Sequence, residues 1–426
     1  MVEKFYMNLQ NRKFHYGVAH LVSAGVSFIV NILAMRSVLP EEMGIIQTVM
    51  LFPTYFASLH FGVFNGVGRN LPIAVGADEK QKVVSIIRNS FLVAKILSAI
   101  GFAFGFSLLL LYVIQVRSTL HFYSAVMLII LLGLEPLSQH FDLVYLGVQD
   151  FDNYPKVLAL QTLVTVLTVP IVVFFGAVGY VASKIIVTFF KLVFRSRIRR
   201  FIYSGVSSWH EIKILAITGF PLMVAGSLYQ FFQVSDRTVV ATLGETKSVG
   251  DMTLATNVSM VFSLVNHVVS SIMYTSISTE YGRTKSRQTL LAHLPKCIAN
   301  SAIVSIPVAF ILWFSIEPAV KLYMPAYVVG IDTAKVAIVT GCSTVLMSPA
   351  ILIAIYGKNI YYSFSIGVAV VLMWLLNIYI GAGGVDVRTV VINKCILSYL
   401  LGAVTLMLAI KMLSPEGLQR QSELHY

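Results

Sequence analysis

Of the chain's 426 residues, 57% are hydrophobic and 12% are charged, a composition that rules out an ordinary soluble globular domain. The formal charge of +12 would suggest a nucleic-acid partner in a soluble chain. A membrane chain gathers Lys and Arg in its cytoplasmic loops for topological reasons, so nucleic acid is set aside.

Residues 1–15 are largely polar and carry Lys4, Arg12 and Lys13. No small-residue cleavage site follows the first apolar run, which is therefore read as a retained helix and not a signal peptide. The apolar runs number twelve. They cover 16–39, 44–67, 84–114, 122–146, 155–175 and 177–194, then 214–243, 250–277, 294–316, 331–356, 361–381 and 387–412. A hydrocarbon core of about 30 Å needs roughly 20 residues of helix, and these continuous runs meet that length, whereas barrel strands would be shorter and alternating. The expected fold class is an all-α integral membrane protein of twelve transmembrane helices. Cys297, Cys342 and Cys395 fall in or beside these spans with no Cys-x-x-Cys pair, so neither a disulfide framework nor a metal site is expected.

Placing the N-terminus in the cytoplasm puts most of the 31 basic residues on the inside. Only Arg36, Arg117, Arg237, Lys247, Lys321, Lys335 and Arg388 fall on the other face, so both termini are expected to be cytoplasmic. The helix end and acidic turn at Met35-Arg36-Ser37-Val38-Leu39-Pro40-Glu41-Glu42-Met43-Gly44 have a counterpart about half a chain later. That counterpart is Val240-Ala241-Thr242-Leu243-Gly244-Glu245-Thr246-Lys247-Ser248-Val249-Gly250. An even number of spans separates them, which predicts a parallel repeat of two six-helix lobes around a central cleft. The expected division is 1–194, a basic cytoplasmic linker at 195–213, and 214–426. Arg195, Arg197, Arg199 and Arg200 suit that linker as topology determinants or as contacts to anionic lipid.

The run from Val26 through Asn31 to Gly44 resembles the first hairpin of the Wzx-type polysaccharide flippases, and so does Phe61-Gly62-Val63-Phe64-Asn65-Gly66-Val67-Gly68-Arg69 after the second helix. Gly219-Phe220-Pro221-Leu222 and Ser235-Asp236-Arg237, leading to Leu243-Gly244, are similar to that family's seventh helix. The family is part of the multidrug/oligosaccharidyl-lipid/polysaccharide exporter superfamily. The resemblance implies flipping of a polyprenyl-diphosphate-linked oligosaccharide repeat unit, of O-antigen, capsule or exopolysaccharide, from the cytoplasmic to the outer leaflet of a bacterial inner membrane. Polysaccharide polymerase and glycosyltransferases are the protein partners it implies. The alternative is an ion-coupled small-molecule or drug exporter of the same superfamily. No large extracytoplasmic loop, phosphate-cradling Gly-rich loop or nucleotide-hydrolysis signature is present, so an enzyme is not expected and no cofactor is called for.

Sugar and diphosphate cross hydrocarbon only if polar groups replace their water, and ionisable residues within spans are the candidates for that task. Lys95, Lys184 and Lys394 are expected to contact diphosphate or anionic sugar; the competing role is snorkelling or structural pairing. Glu135, Gln139 and Asp142 share one face of the fourth span. Gln139 is a candidate substrate contact, whereas Glu135 and Asp142 are candidates for ion coupling or for pairing with a lysine. Pro136 is expected to kink this span and free a carbonyl. His267, beside Asn266, is a candidate sugar contact, and Arg36, Asp236 and Arg237 are assigned structural or gating roles.

Overall fold

The computed structural model describes residues 2–113, 119–201, 203–284, 286–356, 359–380 and 386–414, and every regular element among them is helical. Ten helical stretches among the described residues are long and apolar enough to cross a membrane. The chain is therefore a multi-pass membrane protein. Its contacts divide it into two compact units, Met1–Ser227 and Leu228–Tyr426, so that α8 (Trp209–Leu243) contributes its first half to one and its second half to the other.

The first unit opens with α1 (Val2–Ser37) and turns sharply into α2 (Pro40–Phe56). Pro40 occupies the opening position of α2, and the Glu42 carboxylate accepts from the Leu39 backbone N–H at 3.1 Å. The missing proline N–H costs nothing there, and the acidic first turn suits the positive end of a helix. The second expected span is carried by α2 together with α3 (Val63–Gly76). Between them the chain passes through left-handed Phe61 and Gly62 (φ 48° and 83°). Gly62 and Gly66 lie directly against Gly219, Phe220 and Leu215 of α8, where a Cβ on Gly62, Gly66 or Gly219 would meet backbone. Small residues allow helices to approach this closely when lipid supplies no hydrophobic push.

The next two elements, α4 (Lys80–Val113) and α5 (Thr119–Gly147), pack through Gly101, Gly105 and Gly133. Pro136 has no N–H for the Leu132 carbonyl, which instead lies against Gly101, while the Gly133 carbonyl accepts the Ser98 hydroxyl. The Gly133 carbonyl is thus satisfied by α4, and the Leu132 carbonyl is covered by the close approach of Gly101. Two elements follow, α6 (Tyr154–Leu167) and α7 (Val169–Ile198), the latter containing Gly176 at φ 55°, ψ −129°. The chain reverses at this glycine. Ser183 donates to the Thr168 hydroxyl at 2.9 Å, although fifteen residues of straight helix would separate them by about 22 Å. The expected boundary between the fifth and sixth spans falls on this residue.

In the second unit the rest of α8 leads through Gly244 and Glu245 into α9 (Thr246–Asp251) and α10 (Thr253–Thr284). This repeats the order of events at the end of α1. Next come α11 (Arg287–Ala292), α12 (Leu294–Tyr323) and a 3-10 turn at Pro325–Gly330. The tenth expected span is broken into α13 (Ile331–Cys342), α14 (Thr344–Met347) and α15 (Ala350–Tyr356). Hydroxyls of Thr344 and Ser348 donate to the Gly341 and Val345 carbonyls around those breaks. Two helices, α16 (Asn359–Ile380) and α17 (Val387–Leu413), complete the unit. Its core gathers Phe232, Val239, Val240, Met252, Met373 and Leu401, all nearly inaccessible to solvent.

Candidate functional site

A polar seam runs between α5 and α7 in the first unit. At 100° per residue, Tyr180, Lys184, Lys191 and Arg195 fall within about 60° of one another on α7, and Glu135, Gln139 and Asp142 do the same on α5. The two stripes meet. Lys191 Nζ lies 2.7 Å from Glu135 Oε1, and Arg195 Nε lies 2.5 Å from Asp142 Oδ1. Arg195 also donates to the Ser138 hydroxyl at 2.8 Å, and the Tyr154 hydroxyl donates to Asp142 at 2.6 Å. Beyond the helix ends, Arg199 Nη1 reaches Asp150 Oδ2 at 2.5 Å. Partner numbers rise together along the seam, so the two helices run parallel. The fourth and sixth spans, with one span between them, must run this way.

Asp142 therefore sits in a hydrogen-bonded ion pair with a buried guanidinium and is committed to that contact. Glu135 is paired more loosely: its side chain keeps 38% of its exposure against 18% for Lys191. Gln139 is half-buried one turn from Glu135. Two of the linker arginines, Arg195 and Arg199, are committed to Asp142 and Asp150, while Arg197 and Arg200 are exposed. Burial alone would raise the Asp150 carboxyl, but hydrogen bonds from Asn153 and Arg199 and the charge of Arg199 outweigh it and hold the group below its ordinary value.

The two units treat equivalent lysines differently. Lys184 stands seven residues after the first residue of the sixth span, Ala177, and reaches back to the first helix of its unit. There it donates to the Asn31 side-chain oxygen at 3.2 Å. Lys394 stands equally far after Val387, the start of α17, and reaches back to α8. It donates to Asp236 Oδ1 at 2.8 Å and to the Gln233 carbonyl at 2.6 Å. Lys394 and Asp236 are 5% and 8% exposed, so this charge is sealed and neutralised. Among the described residues no carboxylate contacts the Lys184 ammonium, which rests instead on the Tyr180 ring at 4.8 Å from its centroid, while the Tyr180 hydroxyl shares Asn31 at 3.0 Å. A cation over an aromatic face beside an amide stays available to an incoming anion.

Lys95 is exposed on α4, its ammonium 4.4 Å above the Phe91 ring. Phe91 in turn stacks on Tyr203 at 4.3 Å. Arg36 is exposed in the last turn of α1, where a cation suits the negative helix end. Arg237 follows Asp236 and is half-buried. His267 lies in α10, and its side chain falls outside the described residues.

Asn31 and Lys191 were not singled out as candidate site residues from the sequence. Lys191 stands seven residues from Lys184 and four from Arg195, a spacing that marks one face. It reads as a loop-proximal topology charge until α7 is seen to extend to Ile198. Asn31 carries no charge, and its place in the first-hairpin run does not by itself mark its side chain as part of a site.

No family model matches the sequence, and no curated protein matches it. The structure is similar to an inward-facing multidrug resistance MATE family transporter of the MOP superfamily. The TM-score is 0.73 with 13% identity, over 94% of this chain and 96% of that one. An outward-facing conformation of such a transporter gives 0.67 with 13% identity, over 95% and 96%. A MOP superfamily transporter from Pyrococcus furiosus, described as having a binding pocket of reverse polarity that suggests a different function, gives 0.70 with 14% identity over 95% and 96%. At such identities the likeness is one of architecture: the chain has the fold of these multi-pass transporters.

Proposed function

We propose that this protein flips a polyprenyl-diphosphate-linked oligosaccharide from the cytoplasmic to the outer leaflet of a bacterial inner membrane by alternating access. The observation that carries the reading is Lys184, a lysine within a span that is held by an amide and an aromatic ring, with no carboxylate in contact among the described residues. Burying a charge in this way is costly unless an anion is to be met there. The transporter fold and the hairpin motifs around Asn31, Phe61-Gly62 and Asp236-Arg237 support the same reading. Lys95 is the second cation in this proposal, and Gln139 and the aromatic rings of α4 and α7 are its sugar contacts. Lys394 serves structure through Asp236. No catalysis is assigned to the chain, and its partners are the lipid-linked sugar, the enzymes that build it and the polymerase that consumes it.

A second reading, an ion-coupled exporter of small molecules, draws on the multidrug resistance transporters among the structures of similar fold. Reconstitution of the intact protein in liposomes with a fluorescent polyprenyl-diphosphate oligosaccharide separates the two. Movement of the probe to the opposite leaflet, reduced at least tenfold in Lys184→Ala with folding retained, is the expected result. No movement by folded intact protein transfers the assignment to the exporter.

A further inference from the structure

Among the ion pairs described above, Glu135 is the most open carboxylate: its side chain is 38% exposed, against 25% for Asp142, 6% for Asp150 and 11% for Asp236. Arg195 is 4% exposed and shares Asp142 with Tyr154, and Asp236 is closed over by Lys394. The Glu135 carboxylate makes one contact at 2.7 Å and leaves 38% of its side chain open. It sits on the residue before Pro136 in the middle of α5, and an ionised side chain open to this degree cannot face hydrocarbon without a cost of several kcal/mol. Lys191 is on the same stripe of α7 as Lys184, seven residues or about 10.5 Å further along the helix.

We infer that Lys191 is a second anion subsite for the transported diphosphate and that Glu135 is its exchangeable counterion, a carboxylate that occupies the ammonium until the diphosphate displaces it. This rests on the flippase reading above and deepens it. The two lysines then make a two-step track along α7. With both termini cytoplasmic, as the loop charges imply, Lys191 is nearer the cytoplasmic end and meets the diphosphate first. Lys184, with no carboxylate to displace among the described residues, receives it next. Glu135 reforms its pair when the anion leaves, so Lys191 does not hold the product. A diphosphate carries more charge than a carboxylate and more oxygens for the ammonium, which makes the exchange favourable in the forward direction.

The test is equilibrium binding of farnesyl diphosphate to the full-length protein in detergent, with inorganic pyrophosphate as competitor and unfolding temperature measured on every variant. Removing the counterion in Glu135→Gln is expected to tighten binding roughly tenfold, and Lys191→Gln to weaken it roughly tenfold, each equivalent to about 1.4 kcal/mol. The double variant is expected to bind like Lys191→Gln. A purely structural pair gives a different pattern, with both single variants less stable and their affinities equal to wild type or lowered together; that result overturns the inference. Lys191→Arg keeps the charge and is expected to bind near wild type. Should Lys191→Gln fail to fold, the sign of the Glu135→Gln effect decides alone, with unchanged or weaker binding counting against exchange. Wild-type protein that binds no farnesyl diphosphate removes both the flippase reading and this subsite. Binding that depends on Lys184 but is indifferent to Glu135 and Lys191 removes the subsite only.

Discussion

At the scale of single residues, the contrast between Asn31 and Asp236 decides what each lysine can do. An ammonium beside a carboxylate is neutralised, whereas one beside an amide retains its charge. Installing the second unit's arrangement in the first with Asn31→Asp is expected to cut translocation of a diphosphate-linked probe roughly tenfold or more, the loss of about 1.4 kcal/mol of binding, while the protein still folds. Proteoliposome transport beside a thermal unfolding scan reads both. In the second unit, Asp236→Ala strands a buried Lys394 and is expected to cost about 3–5 kcal/mol of stability. The double change Asp236→Leu with Lys394→Met removes both charges and should recover most of it, as a comparison of unfolding midpoints would reveal. Asp150 gives a pH dependence with a definite sign. Its carboxyl is held below the ordinary value, so it stabilises the fold at neutral pH. That contribution is lost as pH falls below about 3.9, the ordinary value, and through the lower folded one. Asp150→Asn should flatten this part of the acid unfolding profile and cost about 1 kcal/mol or less at neutral pH, because Arg199 is 41% exposed.

At the scale of elements, glycine positions set which helices can touch and where the chain can reverse. Gly219 lies against the backbone of Gly62 and Gly66, so Gly219→Val must push α3 and α8 apart. A loss of about 1–3 kcal/mol is expected. Gly226, about two turns further along α8, has nothing within 4 Å of where a Cβ would be. Gly226→Ala is expected to be neutral or to stabilise by up to about 1 kcal/mol, so unfolding midpoints of the two variants should move in opposite directions or by very different amounts. The hairpin at Gly176 is where an apolar run of some forty residues becomes two spans. Nothing in hydropathy marks the reversal, since Phe174, Phe175, Ala177 and Val178 surround it. Glycine is the residue that enters a backbone conformation of positive φ and strongly negative ψ without strain.

At the scale of the whole molecule, the chain carries no nucleotide-binding signature, and the proposed transport should be indifferent to ATP. Hydrolysis by purified protein above that of empty liposomes would sink this expectation. The all-helical membrane class and nearly every span could be read directly from the residues. A bilayer leaves only one way to satisfy the backbone of a long apolar segment, and twenty-residue runs state it without ambiguity. The repeat was legible at its turns, because Pro40 and Gly244 announce helix ends locally. The shared polar face of Glu135, Gln139 and Asp142 was legible too, because helical periodicity is a property of a single element. What the residues could not state was which cation each carboxylate holds. The Glu135–Lys191 pair spans 56 positions and the Asp236–Lys394 pair 158, and such pairings depend on helix rotation and register. The sequence by itself determined that this chain crosses a membrane many times as helices, with a small set of charges inside them. Only the tertiary structure decided that Lys394 is sealed against Asp236 while Lys184 stays open beside Asn31, because a charge acquires its role from the partner that packing brings into hydrogen-bond reach, not from its own position in the chain.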